Sequence, residues 1–352
     1  MSERILMKGN EAIAEAAVRG GCRYFFGYPI TPQNEIPEYM AKRLPEVGGA
    51  FIQAESEVAA INMVYGAAGA GGRAMTSSSS PGISLKQEGI SYIAGAELPC
   101  VIVNMVRSGP GLGGIQPSQG DYFQSVKGGG HGDYRMLVYG PSSIQEAVNI
   151  IYKAFDKADE YRIPVMILGD GVLGQMMEPV ALPDAIDVSA LPKKEWATDG
   201  TKSGAERRII NSLYIEADVL EGMNNKFKAL YEKLKAETAH ETYLADDAEI
   251  ILTAFGITAR IAKSAVDLLR EQCVKAGLIR PITLYPFPSD VYAKYAAKKN
   301  VKKFVTLELN LGQMVEDVRL AVNGKKPVEF YGRSGGNIMT PEEVVREILK
   351  RI

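Results

Sequence analysis

Two acidic residues stand at the predicted start of an apolar helix, and this position suggests proton chemistry. Glu55 and Glu57 precede a run of small and apolar side chains over residues 58–68. A helix that is apolar on nearly all sides is predicted to be buried. A carboxyl group at its first turn then needs a partner or a function. Acids are also common where the helix dipole favours them, so a structural interpretation of Glu57 stays open.

The turn over residues 28–32 is predicted to open another helix. Thr31 offers a capping hydroxyl, and Pro32 suits the first helical position. Free N–H groups at a helix amino terminus bind anions, so a substrate carboxylate could lie there. Capping alone would explain Thr31 equally well.

Arg107 directly follows an apolar strand predicted over residues 99–105. In open α/β sheets, ligands bind beyond the carboxyl ends of the strands. A guanidinium at such a place can bind a carboxylate through two hydrogen bonds. The alternative is an ordinary solvated arginine in a loop.

Composition narrows the function classes. A net charge of −2 gives no basic surface for nucleic acid. The cysteines Cys22, Cys100 and Cys273 are far apart, and the histidines are only His131 and His240. We therefore expect neither an iron–sulfur cluster nor another metal site on this chain. No apolar run approaches the ~20 residues that span a bilayer, and the amino terminus is predicted to enter an amphipathic helix. A soluble, cytoplasmic protein is expected.

The chain of 352 residues is long for a single core, so two domains are predicted. Strands and helices alternate over residues 1–180, which indicates a mostly parallel α/β sheet. Residues 181–246 are more polar and are interpreted as a linker with a charged helix near 225–237. The alternation resumes over residues 247–352 as a second, smaller α/β domain. A glycine-rich stretch at 108–132 is predicted to be a functional loop.

In its motifs the chain resembles the alpha-type subunits of 2-oxoacid:ferredoxin oxidoreductases. The resemblance is strongest to the branched-chain (3-methyl-2-oxobutanoate, or 2-ketoisovalerate) group, and the 2-oxoglutarate enzymes are near relatives. It covers essentially the whole length and depends on a series of motifs in order: FGYPITP at 26–32, QAESE at 53–57 followed by Ala59 and Ala60, SPG at 80–82, SLKQEG at 84–89, AELP at 96–99, RSGP at 107–110 and QGD at 119–121.

The resemblance implies a fold and a set of site residues. Residues 1–180 would form a doubly wound, pyrimidine-type thiamine-diphosphate-binding domain, and residues 247–352 a transketolase C-terminal-like domain. Glu57 matches the glutamate that hydrogen-bonds N1′ of the aminopyrimidine. Thr31 matches the threonine that faces the 2-oxoacid, and Arg107 the arginine that pairs with its carboxylate. The cofactor-binding residues implied are Glu57, Pro29, Ile30 and Ser80, with no metal ligand on this chain.

The resemblance also implies partners. Thiamine diphosphate would be shared with a beta-type subunit that holds the diphosphate and Mg²⁺. Iron–sulfur clusters would lie on gamma- and delta-type subunits that pass electrons to ferredoxin. The reaction implied is oxidative decarboxylation of a 2-oxoacid with coenzyme A, giving acyl-CoA, CO₂ and reduced ferredoxin. A 2-oxoglutarate-specific subunit and a non-catalytic scaffold subunit remain alternatives.

Two glycine motifs are interpreted as coincidental. Residues 109–114 fit G-x-G-x-x-G, but Ile115-Gln116-Pro117 does not continue as a helix, so the context of a dinucleotide site is missing. A nucleotide-dependent dehydrogenase using this loop is the rival enzyme class, and it would bind NADH. Gly169-Asp170-Gly171 resembles the start of the magnesium–diphosphate motif of thiamine enzymes, but no asparagine follows before Asn211. It is interpreted as a turn at the end of a strand.

Overall fold

Strands and helices alternate through residues 4–200 and 206–352, the parts of the chain that the computed structural model describes. The strands are β1 (Ile5–Lys8), β2 (Tyr24–Gly27), β3 (Ala50–Gln53), β4 (Ala74–Ser78), β5 (Cys100–Val106), β6 (Leu137–Tyr139), β7 (Pro164–Asp170), β8 (Met177–Val180), β9 (His240–Tyr243), β10 (Ile250–Thr253), β11 (Ala276–Pro281), β12 (Thr283–Tyr285), β13 (Lys303–Glu308) and β14 (Val328–Gly332).

The helices cover both faces of the sheets. They are α1 (Gly9–Arg19), α2 (Glu35–Glu46), α3 (Glu57–Gly69), α4 (Ser80–Gly95), α5 (Tyr122–Val126), α6 (Ile144–Tyr161), α7 (Gly171–Gln175), α8 (Ala217–Leu234), α9 (Gly256–Glu271), α10 (Ser289–Ala296), α11 (Met314–Val322) and α12 (Pro341–Leu349).

The first sheet has seven strands in the order β12-β6-β7-β5-β4-β2-β3. All neighbouring strands in it are parallel except β12, which runs antiparallel to β6. The prediction of a mostly parallel α/β sheet is confirmed. The carboxyl ends of β2, β4 and β5 therefore meet at one edge, where Thr31, Ser80 and Arg107 follow them.

Strand β5 shows why the central strands are continuous apolar runs. Cys100 and Ile102 face one hydrophobic cluster, whereas Val101 and Val103 face the cluster on the opposite side of the sheet. Both faces are covered, so neither set of alternating side chains can be polar. The burial of all seven residues of β5 follows.

The second sheet has five strands in the order β14-β13-β10-β11-β9. Strand β9 is antiparallel to β11 and comes from the segment interpreted as a linker, which also contains α8. Strand β12 lies after β11 in sequence but joins the first sheet. No helix in the described ranges combines the length and apolar character that crossing a bilayer requires.

The amino terminus differs from its prediction. Residues 1–3 lie outside the described ranges, and the following segment forms β1, not the start of an amphipathic helix. β1 pairs antiparallel with β8, with Ile5 opposite Val180. Because the partner strand is distant in sequence, local periodicity gives no signal for this pairing.

Candidate functional site

Glu57 is the first residue of α3 and is buried, with 7% of its surface exposed. Ser56 begins the helix by accepting a hydrogen bond from the Ala59 N–H at 3.2 Å. The prediction that this helix is apolar and buried on all sides is wrong within this chain, because Val58 is 45% exposed and Asn62 is also exposed. Glu57 thus lies at the edge between a buried helix face and an open one.

Glu57 has room because Gly82 of α4 lies directly against its carboxylate. A Cβ placed on Gly82 would come within 2.7 Å of Glu57 Oε1 and 2.1 Å of the Ser78 hydroxyl oxygen. No group in residues 4–200 or 206–352 donates a hydrogen bond to the Glu57 carboxylate. The buried Ser78 hydroxyl also has no hydrogen-bond partner in these ranges. The carboxylate therefore keeps its hydrogen-bonding capacity for a group from outside the described chain.

Lys86 is the residue near Glu57 that sequence reasoning missed. It is fully buried on α4, and its ammonium donates to Thr76 Oγ1 at 2.7 Å and to the Ser77 carbonyl at 3.1 Å. A signal was present, since Ile83, Lys86 and Ile90 follow the helical period that points into the core. A lysine at such a position is seldom buried without a charge nearby.

Thr31 lies in a separate turn and does not begin α2, so the prediction that its hydroxyl caps this helix is wrong. The turn is closed by the Gln33 N–H, which donates to the Ile30 carbonyl at 3.1 Å. The helix starts at Glu35, and no side chain in the described ranges caps it. Since Thr31 is outside the helix and exposed, its hydroxyl is free of the capping role that the sequence indicated.

Arg107 reaches across the sheet edge to the Thr31 turn. Its Nη1 donates to the Thr31 carbonyl at 3.1 Å, and its Nη2 donates to the Leu112 carbonyl at 3.3 Å. The side chain is 8% exposed, and Nε finds no hydrogen-bond partner in the described ranges. The alternative of a solvated loop arginine is wrong, because this guanidinium is buried and only some of its N–H groups donate hydrogen bonds within the described ranges.

Ser80 connects Arg107 to the start of α4. Its hydroxyl accepts from the Arg107 N–H at 3.0 Å and donates to the Arg107 carbonyl at 3.1 Å. Asn104 accepts from the Ser80 N–H at 3.2 Å and donates to Asp121 at 2.9 Å. Burial raises the pKa of Asp121, although the hydrogen bonds with Asn104 and Ser80 act in the opposite direction. This network fixes the strand ends on which the candidate site depends.

The structure therefore brings Thr31, Ser80 and Arg107 into direct contact, and Glu57 lies against Gly82, two residues after Ser80. Pro29 and Ile30 precede Thr31 in the same turn, where Pro29 is exposed and Ile30 is half-buried. No hydrogen bond joins Glu57 to any of these residues in the described ranges.

Both glycine motifs lie in the structural surroundings that the sequence predicted: residues 109–114 are not followed directly by a helix, and residues 169–171 lie at the end of a strand. The loop at 109–114 does not lead into a helix, because α5 begins only at Tyr122. Asp170 ends β7 and caps α7, accepting from the Val172 and Leu173 N–H groups at 2.8 and 3.1 Å. No group of three metal-ligating side chains occurs in the described ranges.

A substitution of Asp170 tests the interpretation of this motif as a cap. Burial raises the pKa of Asp170 to about 6, although its hydrogen bonds from backbone N–H groups act in the opposite direction. Folding therefore takes up protons between pH 4 and 6, and stability falls as the pH rises through this window. Asp170→Asn keeps a capping oxygen without the charge, so we expect it to be as stable as the parent or more stable at pH 7, by at most about 3 kcal/mol.

Urea unfolding of the full chain at pH 7 and pH 4 measures this difference, which should vanish at pH 4. Asp170→Ala is the matched control. It removes the charge as well but also the cap, so it should be about 1 kcal/mol less stable than Asp170→Asn at both pH values. Equal stabilities of Asp170→Asn and Asp170→Ala would contradict the account.

Comparison with known proteins places this chain in a class. Residues 15–242 match the family profile described as pyruvate flavodoxin/ferredoxin oxidoreductase, thiamine diphosphate-binding. Residues 248–344 match pyruvate:ferredoxin oxidoreductase core domain II. The chain is thus a thiamine-diphosphate-binding protein in its fold and domain content.

Individual relatives narrow the class to a family. The ketoisovalerate oxidoreductase subunit VorB of Methanothermobacter thermautotrophicus is 49% identical over 344 residues, which cover 97% of this chain and 96% of that protein. The 2-oxoglutarate synthase subunit KorA of the same organism is 38% identical over 378 residues, or 99% of each chain. The chain belongs to the 2-oxoacid:ferredoxin oxidoreductase family, as the motifs predicted.

A solved structure agrees with this assignment. It is 2-oxoglutarate:ferredoxin oxidoreductase from Magnetococcus marinus with 2-oxoglutarate, coenzyme A and succinyl-CoA bound, and it superposes with a TM-score of 0.88 at 28% identity. The match covers 99% of this chain but 65% of that chain, so this chain spans about two thirds of the solved one. The predicted fold class is confirmed.

Proposed function

We propose that this chain is the alpha-type subunit of an oxidoreductase that acts on a branched-chain 2-oxoacid. The complete enzyme would convert the 2-oxoacid, coenzyme A and oxidised ferredoxin into acyl-CoA, CO₂ and reduced ferredoxin. The observation that carries the proposal is Glu57, a buried carboxylate at a helix start with no hydrogen-bond donor in the described ranges. A carboxylate in such a place binds and moves a proton that another molecule supplies.

The residues at the sheet edge fit one half of a thiamine diphosphate site. When bound, this cofactor supplies the thiazolium carbon that adds to the 2-oxo group and serves as an electron sink. Glu57 would hold the N1′ proton of its aminopyrimidine, and the unpartnered hydroxyls of Ser78 and Ser79 are free to orient nearby polar groups. Pro29, Ile30 and Ser80 remain proposed contacts of the cofactor.

The substrate would lie between the Thr31 turn and Arg107. Within the described parts of the chain, Arg107 Nε is buried without a partner, and its two Nη groups donate only to backbone carbonyls. A carboxylate would replace these contacts by stronger, charge-assisted ones. Thr31 would then offer its exposed hydroxyl to the same 2-oxoacid.

The site needs a partner subunit to exclude water. Exposed apolar side chains occur on the segments that carry the site residues: Tyr28, Ile52, Val58, Leu85, Leu112 and Ile115. Large exposed apolar surfaces mark protein interfaces. We propose that a beta-type subunit covers it and holds the diphosphate and Mg²⁺, and that gamma- and delta-type subunits carry iron–sulfur clusters to ferredoxin. The complex would be cytoplasmic.

The preference for a branched-chain 2-oxoacid is supported by the relatives. The ketoisovalerate oxidoreductase subunit is 49% identical, against 38% for the 2-oxoglutarate synthase subunit. A 2-oxoglutarate enzyme is the second candidate, and a non-catalytic scaffold subunit is the third. Co-purifying the native complex and measuring ferredoxin reduction across a panel of 2-oxoacids separates them. We expect the highest kcat/KM with 3-methyl-2-oxobutanoate, and no activity with any 2-oxoacid would refute the catalytic proposal.

Replacing Arg107 tests the assignment of the substrate carboxylate. Arg107→Ala removes charge-assisted hydrogen bonds worth about 1.5–3 kcal/mol, so the KM for the 2-oxoacid should rise about 10- to 100-fold. The KM for coenzyme A should not change. Steady-state kinetics of the assembled complex measure both values.

Arg162→Ala is a matched control because Arg162 braces a different loop. It donates to the Glu97 carbonyl at 3.0 Å and stacks on Trp196 at the opposite edge of the sheet. This variant should keep the parental KM for the 2-oxoacid. If Arg107→Ala also keeps it, Arg107 does not bind the substrate.

A further inference from the structure

Lys86 is a buried lysine that forms no ion pair with any residue of 4–200 or 206–352. Its ammonium is fixed by the Thr76 hydroxyl at 2.7 Å and the Ser77 carbonyl at 3.1 Å, and none of its surface is exposed. These two bonds to neutral groups satisfy its donors only in part, since an ammonium has three N–H groups. Burying a charge in this way is costly, so an apolar side chain would stabilise the fold better.

The charge that acts on Lys86 is that of Glu57. Burial lowers the pKa of the Lys86 ammonium to about 7, and the attraction of Glu57 opposes this shift. No other charged group in the described ranges contributes to it. Strands β4 and β5 present uncharged side chains to α4. On the remaining neighbours, Asp170 is engaged as a helix cap, Glu88 is exposed beside Tyr92, and His131 meets α4 through its carbonyl at Ser91.

Lys86 and Glu57 are connected through one face of α4. Gly82 lies one turn before Lys86 on the same face, and it is the residue against which Glu57 Oε1 lies. The Ser78 hydroxyl fills the space beside Gly82, next to the strand residues that hold Lys86. Gly82 and the Ser78 hydroxyl thus link the surroundings of Lys86 to the Glu57 carboxylate.

We propose that Lys86 is a positioning residue for Glu57, and that its buried ammonium supplies positive charge near the Glu57 carboxylate. The inference rests on the proposed function, since it assigns a role within that site. A nearby positive charge stabilises a carboxylate in its charged form, and the Thr76 hydroxyl and the Ser77 carbonyl hold the Lys86 ammonium in place.

The first test uses the assembled complex with Lys86→Met, which removes the charge at similar volume. We expect the acidic limb of the kcat–pH profile to move up by about one pH unit. At a fixed pH on this limb, kcat should fall about tenfold while the KM for the 2-oxoacid stays unchanged, because Arg107 is untouched. Titration calorimetry with thiamine diphosphate and Mg²⁺ should show weaker cofactor binding. An unchanged pH profile and cofactor affinity would overturn the inference.

Two further variants make this result specific. Thr76→Val keeps the lysine but removes one of its hydrogen-bond acceptors. It should therefore move the acidic limb of the kcat–pH profile in the same direction by a smaller amount. If Lys86→Met does not fold, Thr76→Val takes its place in this test. Lys153→Met removes an exposed lysine on α6 and should leave the profile unchanged.

The second test does not depend on activity and so separates this inference from the proposed function. Because the folded pKa of Lys86 lies below its ordinary value, the unfolded chain binds more protons above pH 7, and stability rises with pH there. Lys86→Met should abolish this rise in urea unfolding of the full chain. In Glu57→Gln the rise should begin at lower pH, since the attraction is lost. A rise that is the same with and without Glu57 would refute the coupling even if the complex is active.

Discussion

Glu57→Gln is expected to lower 2-oxoacid-dependent ferredoxin reduction by the assembled complex about 10³-fold. Glutamine has nearly the same shape and fits the space over Gly82, where Glu57 Oε1 lies. It cannot take up or release a proton at neutral pH, and a positioned acid–base group contributes about 10²–10⁴-fold to a rate. The measurement is kcat in the reconstituted complex at saturating 2-oxoacid, coenzyme A and cofactor.

The neighbouring acid provides the control for this substitution. Glu55 is exposed two residues earlier in the same motif, so Glu55→Gln changes the local charge equally without touching the buried site. It should retain most of the activity. Both variants should assemble with the partner subunits as the parent does. Turnover within twofold of the parent in Glu57→Gln would remove this residue from the mechanism.

Gly82→Ala is expected to damage the site by displacing the Glu57 carboxylate. The added Cβ would lie 2.7 Å from Glu57 Oε1 and 2.1 Å from the Ser78 hydroxyl, so both must move. A displacement of about 1 Å at a reacting group costs on the order of 100-fold in rate. Crowding costs about 1–3 kcal/mol, which exceeds the helical gain from alanine of up to about 1 kcal/mol. We therefore expect a 100-fold loss of kcat and a net loss of stability.

Gly222 offers the matched helical control. It lies in α8, and a Cβ placed on it would meet no atom within 4 Å. Gly222→Ala should raise the free energy of unfolding by about 0.5–1 kcal/mol and leave kcat unchanged. Equal behaviour of the two glycine variants would mean that Gly82 does not hold space for Glu57.

The sequence predicted the elements around the site well because their signals are local. The apolar run of β5 required covered faces on both sides, and the apolar run over residues 58–68 indicated α3. Pairings between distant segments were not predictable in this way. Strand β1 pairs with a strand far along the chain, and the turn before α2 ends later than Pro32 suggested.

The sequence predicted individual residues of the candidate site but not how they are arranged in space. The sequence motifs identified Thr31, Arg107 and Glu57 as candidates, and in the structure Arg107 contacts Thr31. The environment of Glu57 depends on Gly82 and Lys86, which reach it through the packing of α3 on α4. A sequence pattern shows which face of each helix is buried, but it does not show which residues of the two faces meet.

One edge strand ties the two halves of the chain, residues 1–180 and 247–352, together mechanically. The first sheet ends in Thr283–Tyr285, which comes from the second half, and the second sheet ends in His240–Tyr243, which comes from the segment between the halves. Pulling the halves apart would remove an edge strand from the first sheet. Movements that admit substrate must then come from loops or from neighbouring subunits, since these halves cannot swing apart as hinged lobes do.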